Sequence, residues 1–447
     1  MKAFPRSYLP PILLFLGVYL FSGLGRVATS YDSRWTVDKV MSLWNHADTN
    51  LDEYSAAIRR SNFYQTECVD ASGHVRMGPP EACEGHWYDL YPIGSTILSA
   101  PFIWLLVGVI RLLHPLFDHL HPADPVIAGF LHGNYQLGHA LIEEEVASFF
   151  LACTAVMVFF ISKRYLPERR SILLALLFAT GTSAYSIAGR ALWQHTPSML
   201  LLAIIVYLLL RAEERPELAA WAGIPVALSY TVRPTDALFV ILFTAYVAVH
   251  HRKFLWRYLL AAAPIAAVWL AYNVSIYHWP FSPYYQSNLN GFRPSLWPSF
   301  GMALAGNLIS PSRGLFVFTP VFLFSAWNML RGKWKTPLAP WLAGLALLHW
   351  IAVSSYVEIW WGGHSYGPRF FTDLTPVLAL FLIPFIAAWD QQSRKLRALF
   401  LALALAGVFI HVRGGWSPAV WAWNATPLNV DAHPDRVWDW SDPQFLR

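Results

Sequence analysis

Residues 1–35 read MKAFPRSYLPPILLFLGVYLFSGLGRVATSYDSRW. Two cations, Lys2 and Arg6, precede an apolar run from about Tyr8 to Val27, and Tyr31-Asp32-Ser33-Arg34-Trp35 follows it. An apolar helix of roughly 17 to 25 residues matches the hydrocarbon thickness of a bilayer. The basic flank assigns the N-terminus to the cytoplasm, so Asp32 emerges on the far side, at the end of the first span. Similar runs recur along all 447 residues, which a single cleaved leader does not explain. The composition agrees, with 56% hydrophobic, 16% aromatic and 13% charged residues and a mean hydropathy of +0.39. That is too apolar for a soluble globule. The expected fold class is all-α, a polytopic membrane protein forming one membrane-embedded domain over 1–447.

Basic clusters set the topology. Lys163, Arg164, Arg169 and Arg170, then Arg211 and Arg215, Arg252, Lys253 and Arg257, Arg331, Lys333 and Lys335, and Arg394, Lys395 and Arg397 each cap an apolar run, and the positive-inside rule puts all of them in the cytoplasm. The alternation works if the apolar stretch from Pro92 to Leu113 does not cross and is instead interfacial or re-entrant. Eleven spans result, at about 8–28, 143–162, 171–189, 197–211, 218–232, 236–250, 256–276, 314–330, 337–355, 374–390 and 397–412. A first extracytoplasmic loop at 29–141 and an extracytoplasmic tail at 413–447 follow from this order. Cytoplasmic loops hold much of the basic total, so the net charge of +5 calls for no nucleic acid. Cys68 and Cys83 share the first loop, where oxidation is permitted. A bridge between them is expected, with two free thiols as the alternative.

Charged and aromatic residues gather at the expected outer ends of the spans. Asp32 is placed to take a proton from an acceptor hydroxyl, or else to N-cap an amphipathic helix whose Val37, Val40, Met41 and Trp44 fall at helical spacing. His86, Tyr88 and Tyr91 lead into the apolar stretch at 92–113, where interfacial aromatics are common. Glu143, Glu144 and Glu145 open the second span and suit a helix N-terminus, with sugar or metal binding as the rarer use. Arg190, Arg233, Arg313 and Arg369 all fall outside, against the basic-loop rule. A cation at mid-bilayer costs on the order of 2.5 kcal/mol or more, and less toward the interface. Four such arginines together point to a shared anion, most simply a phosphate held by guanidinium forks. Arg369 closes Trp360-Trp361-Gly362-Gly363-His364-Ser365-Tyr366-Gly367-Pro368-Arg369, a loop whose glycines allow close backbone approach. His364 and His195 add hydrogen-bonding groups for a sugar or phosphate.

The acid after the first helix, the large first loop, the aromatic-Pro-x-Gly sequence Tyr91-Pro92-Ile93-Gly94, Arg233-Pro234-Thr235 and the Trp361–Arg369 stretch resemble the GT-C superfamily of membrane glycosyltransferases. Within it the likeness is to bacterial relatives of the protein O-mannosyltransferases and the lipid A aminoarabinose transferases. The resemblance covers essentially the whole chain and rests on the order of features more than on any one motif. It implies an inner-membrane enzyme that transfers a sugar, with inversion, from a polyprenyl-phosphate donor to an envelope lipid, glycan or protein hydroxyl on the extracytoplasmic face. Asp32 matches the first acid of the family's Asp-Glu pair and would be the base, with Arg313, Arg369, Arg190 and Arg233 on the donor phosphate. Ser33 stands where the second acid would be, which weakens divalent-metal binding and leaves single-base catalysis intact.

Two other readings compete. A secondary transporter would carry charges near the bilayer midplane and an internal repeat, whereas these charges cluster at one face. A ligase or polymerase moving a whole lipid-linked glycan would use the same arginines and differ in its product.

Overall fold

The computed structural model describes residues 8–29, 31–76, 83–120, 125–135, 138–290 and 299–447. The basic start Met1–Arg6, used above for sidedness, lies outside them. Helix α1 (Leu9–Gly23) has prolines in its first turn, where the missing N–H costs nothing. Among the described residues, six helices are long and apolar enough to cross a membrane: Ile93–Leu116, His139–Ser162, His195–Ala212, Arg252–Tyr277, Arg369–Ala387 and Arg394–Trp416. Shorter apolar helices run at Leu9–Gly23, Leu218–Val232, Pro234–His250, Ser299–Ile309 and Ala339–Ser354.

These helices differ from the expected list of spans at four places. Residues 93–113, in the stretch expected not to cross, lie in one helix, Ile93–Leu120, that runs through Pro101 and Pro115. Length and composition therefore do not set this stretch apart as re-entrant. Ser299–Ile309 is an apolar helix inside a segment read as an outer loop. The expected span at 171–189 is a helix, Glu168–Thr180, followed by a π-helical turn at Ala184–Ala188. The span at 314–330 is split into Leu315–Phe318 and Phe322–Leu330.

Burial sorts the helices into centre and periphery. The most apolar stretch of Arg369–Ala387 is 78% buried and that of Arg252–Tyr277 only 11%. Val268, Leu405 and Leu330 point outward from the bundle, apolar surface of the kind a bilayer covers.

The expected basic ends meet at one end of the bundle. Arg164 Nη2 lies 2.9 Å from Glu214 Oε1, Arg170 Nη2 2.6 Å from Asp390 Oδ2, and Thr336 Oγ1 donates to Glu213 Oε1 at 2.5 Å. Exposed pairs of this kind contribute little energy each, but they fix which segment ends are neighbours. Glu214 follows the C-terminus of His195–Ala212, and His195 begins that helix. His195 and its surroundings therefore sit at the opposite end, about 27 Å away along an 18-residue helix.

At that opposite end the first loop folds into a small layer of its own. Helix α2 (Thr36–Asn45) buries Val37, Val40 and Met41, as its spacing predicts. They pack with Trp35, Leu51, Trp87 and Ile103 into a separate core against Ile93–Leu120. A three-stranded antiparallel sheet, absent from the all-α expectation, has the order β2-β1-β3, with β1 Thr66–Val69, β2 Val75–Arg76 and β3 His86–Asp89. Cys68 and Cys83 are joined in a disulfide beside it. Buried Lys39 Nζ meets Asp89 Oδ2 at 2.7 Å and also donates to the Tyr91 carbonyl at 3.3 Å, tying α2 to the chain that enters Ile93–Leu120.

Candidate active site

A cavity of about 690 Å³ opens where the first loop, the N-terminal end of His195–Ala212, the loop 356–370 and the C-terminal tail converge. Its wall includes Asp32, Tyr64, Gln65 and Tyr91 from the first loop, and Trp193, Gln194 and His195 before the buried helix. Arg233, Tyr284, Tyr356, Gly362, Gly363, His364 and Arg369 follow, and the tail supplies Asn429 and Asp431. Local sequence explains several placements. Arg233 precedes a proline and is extended, at φ −153° and ψ 133°, so the helix Gly223–Val232 stops there and its side chain faces inward. Asn62, Phe63 and Gln65 hold left-handed backbone, at φ 52°, 58° and 59°. Non-glycine residues adopt that region rarely and cluster at functional sites when they do; this turn brings Tyr64 and Gln65 to the cavity.

Asp32 does not cap α2, whose N-cap is Trp35 without a side-chain bond. Its carboxylate instead accepts from Arg369 Nη2 across 337 positions of sequence. The Arg369 guanidinium carbon lies 4.2 Å from the centroid of the Trp193 ring, a cation–π contact, while its Nη1 donates to the Gly362 carbonyl at 3.3 Å. Deeper in, Arg233 Nη1 donates to Asp373 Oδ2 and lies 2.9 Å from His195 Nδ1, and His195 Nδ1 is 2.5 Å from Asp373 Oδ1. Asp373 is fully buried. The imidazole is thus anchored through Nδ1, with Nε2 as its other nitrogen. Tyr284 donates to Gln194 Oε1 at 3.2 Å and packs edge-on against Tyr91. Burial pushes the Tyr284 phenol up to about 12, so it stays a neutral donor at physiological pH.

Of the four arginines expected on a phosphate, Arg369 and Arg233 line the cavity while Arg313 and Arg190 do not. Arg313 is 1% exposed and spends its donors on protein oxygens. They reach the Trp361 and Ser312 carbonyls at 2.7 Å each, the Gly363 carbonyl at 3.1 Å, Gln444 Oε1 at 2.6 Å and Asn424 Oδ1 at 2.8 Å. It staples the Trp360–Arg369 loop to the tail. Arg190 is buried against Glu144 Oε1 at 2.5 Å and Ser22 Oγ at 2.5 Å, and also donates to the Ser22 carbonyl. It clamps α1 to His139–Ser162. Neither guanidinium is open to a substrate phosphate.

The sugar-contact candidates divide likewise. His364, His195 and Tyr91 line the cavity. His86 stands outside it, exposed, with Nδ1 2.6 Å from Asp52 Oδ2. Tyr88 sits on the sheet away from the cavity, and Glu143 is buried within His139–Ser162. Gly362 and Gly363 adopt φ 75° and 61°, and a Cβ on Gly367, at φ 62°, would stand 2.4 Å from Phe318. These glycines therefore serve the turn itself. Sequence reasoning missed Trp193, Gln194, Tyr284, Asn429 and Asp431. Gln194 and Trp193 flank His195 and could have been found with it; the tail residues carried no local signal.

Residues 125–279 match the model of the dolichyl-phosphate-mannose-protein mannosyltransferase family, which belongs to the GT-C superfamily. The matched segment contains Arg190, His195 and Arg233 and excludes Asp32 and Arg369. No curated protein and no solved structure matches the chain. The match, in a chain with six described helices long and apolar enough to cross a membrane, is a likeness to membrane glycosyltransferases of the GT-C type.

Proposed function

We propose that this protein transfers a sugar from a polyprenyl-phosphate donor to an acceptor hydroxyl on the extracytoplasmic face of the inner membrane, with inversion at the anomeric carbon. The observation that carries the reading is a single cavity holding Asp32, Arg369 and Arg233 from three distant parts of the chain. The acceptor oxygen attacks the anomeric carbon while the bond from that carbon to the phosphate oxygen breaks. Asp32 takes the hydroxyl proton, and the leaving polyprenyl phosphate keeps the bonding electrons. Negative charge then grows on the phosphate, and fixed cations aimed there lower the barrier.

The pairing of Arg369 with Asp32 gives this mechanism an order. While paired, the arginine fork is unavailable to phosphate and the carboxylate oxygen is taken up by the guanidinium. An arriving phosphate competes for the Arg369 fork, and the carboxylate is released to the acceptor side. Arg233, held on Asp373, lies on the same cavity and supplies the second cation.

The test is release of free polyprenyl phosphate from a panel of polyprenyl-phosphate sugars by the purified protein, with a crude envelope acceptor. Wild type releases lipid phosphate, and Asp32→Asn lowers the rate by about 100- to 10,000-fold, the usual worth of a general base. Equal rates in the two folded proteins would remove Asp32 from the chemistry, and no release by wild type from any donor would remove the donor class.

A further inference from the structure

The groups on the cavity wall differ in depth. Arg233 and Arg369 are the deeper ones, with side chains 8% and 18% exposed; His364, Asn429 and Asp431 line the same cavity where the tail meets the Gly362-Gly363 turn. His364 Nε2 lies 3.1 Å from Asn429 Oδ1 and 3.7 Å from Asp431 Oδ2, and Trp361 Nε1 donates to Asp431 Oδ1 at 2.9 Å. The Asp431 side chain stays 49% exposed and that of His364 31%. An added Cβ at Gly363 would meet Asp431 Oδ1 at 3.7 Å, so a larger side chain there would stand over the carboxylate that glycine leaves open.

We infer that His364, Asn429 and Asp431 form the acceptor subsite, and that the acceptor group it takes is an uncharged polyhydroxyl unit, a sugar residue of a glycan. This rests on the donor reading above. A carboxylate repels a phosphate, so the anionic end of the donor belongs at the arginine side. A carboxylate, an amide and an imidazole set side by side offer acceptors and donors in the mix that vicinal hydroxyls satisfy. The subsite lies on the same cavity as Asp32, so a hydroxyl of the bound sugar can turn its proton toward that base. A peptide's serine or threonine brings one side-chain hydroxyl where a sugar brings a vicinal set, so the two acceptor classes differ in how many hydroxyls can pair with this cluster at once.

The experiment uses the full-length protein in detergent with a polyprenyl-phosphate sugar that it turns over. Acceptors are a panel of neutral mono- and disaccharides and a serine/threonine-rich peptide. Asp431→Asn keeps an oxygen for Trp361 Nε1 and removes the charge, while Asn429→Ala removes the amide. The expected result is transfer to at least one saccharide, with acceptor KM raised 10-fold or more in each variant. The melting temperature stays at the wild-type value, and donor KM, read at saturating saccharide, moves less than acceptor KM. Unchanged acceptor KM, a rise in donor KM equal to that in acceptor KM, or transfer to the peptide alone overturns the inference. If wild type turns over no donor, the donor reading has failed by itself, and saccharide binding read by tryptophan fluorescence then decides. Saturable quenching that Asp431→Asn weakens supports the subsite, and none overturns it.

Discussion

Arg313 and Arg369 look alike in sequence, each an outer arginine next to an apolar stretch with glycine and serine within four residues, yet they do different work. Arg313 is enclosed by five oxygens from two loops and the tail, whereas Arg369 faces the cavity with one carboxylate and an aromatic face. A lysine cannot reproduce five fixed donors. Each buried acceptor left unpaired costs about 1–3 kcal/mol. Arg313→Lys is therefore expected to lower the melting temperature by several degrees and to lose activity in step with the folded fraction. Arg369→Lys keeps its charge but loses the fork and the stacking. It is expected to melt near wild type while releasing polyprenyl phosphate about 10- to 100-fold more slowly. Scanning fluorimetry beside the release assay separates the two, and the reverse pattern would exchange their roles. The sequence carried the surplus of outer arginines, but it held no information on which of them had carbonyls waiting, because those carbonyls come from Trp361, Gly363 and the tail.

Within the first loop, the small sheet is fastened to the bundle through Glu67, whose Oε1 accepts from the Tyr277 hydroxyl at 2.7 Å, and the segment after α2 through Thr49 Oγ1, 3.0 Å from the Tyr272 hydroxyl. Burial pushes the Glu67 carboxyl up to about 7, against an ordinary value of 4.5. A raised carboxyl means that the folded state holds a proton the unfolded state has lost. Stability from this group is fully present below about pH 4.5 and is lost as pH rises toward 7. The midpoint of unfolding is expected to fall between pH 5 and pH 7.5, and Glu67→Gln to flatten that slope without changing the value near pH 5. An unchanged slope in the variant would place the titration elsewhere. The buried Asp89 carboxyl is also pushed up by burial, with Lys39 opposing the shift, so some slope remains. The amphipathic helix after Asp32 was legible because Val37, Val40 and Met41 repeat at helical spacing. The strands were not: each has at most four residues, and Thr66-Glu67-Cys68-Val69 owes its burial to partners in β3 and at Tyr277, far along the chain. The stretch at 92–113 was read from the alternation of basic ends, which set sidedness and carry no information on the length of the helix between them, Ile93–Leu120.

Across the whole molecule, the expected basic clusters and the cavity occupy opposite ends of the bundle, the arrangement an enzyme needs if loading and chemistry face different compartments. In the proposed orientation, which follows the positive-inside rule, the Arg164, Arg170 and Glu214 end faces the cytoplasm and the cavity faces outside. Single cysteines placed in a Cys153→Ser background report on this directly, because the Cys68–Cys83 bridge consumes the other two thiols. Asp431 and Glu214 are about half exposed, with side-chain exposures of 49% and 60%, so cysteines there are reachable by reagent. In intact cells an impermeant maleimide is expected to label Asp431→Cys and to label Glu214→Cys only after permeabilisation. The opposite pattern would turn the molecule over and put the cavity on the cytoplasmic side, where nucleotide-activated sugars compete as donors. Labelling of Asp431→Cys should also slow when a short-chain prenyl phosphate fills the cavity, because the variant keeps Arg369 and Arg233 on the same wall. The pieces of this arrangement that sequence could supply are the basic ends and the acid after the first span. The closure of the tail over the Gly362-Gly363 turn had to be seen, because it depends on Arg313 binding Gln444, 131 residues away.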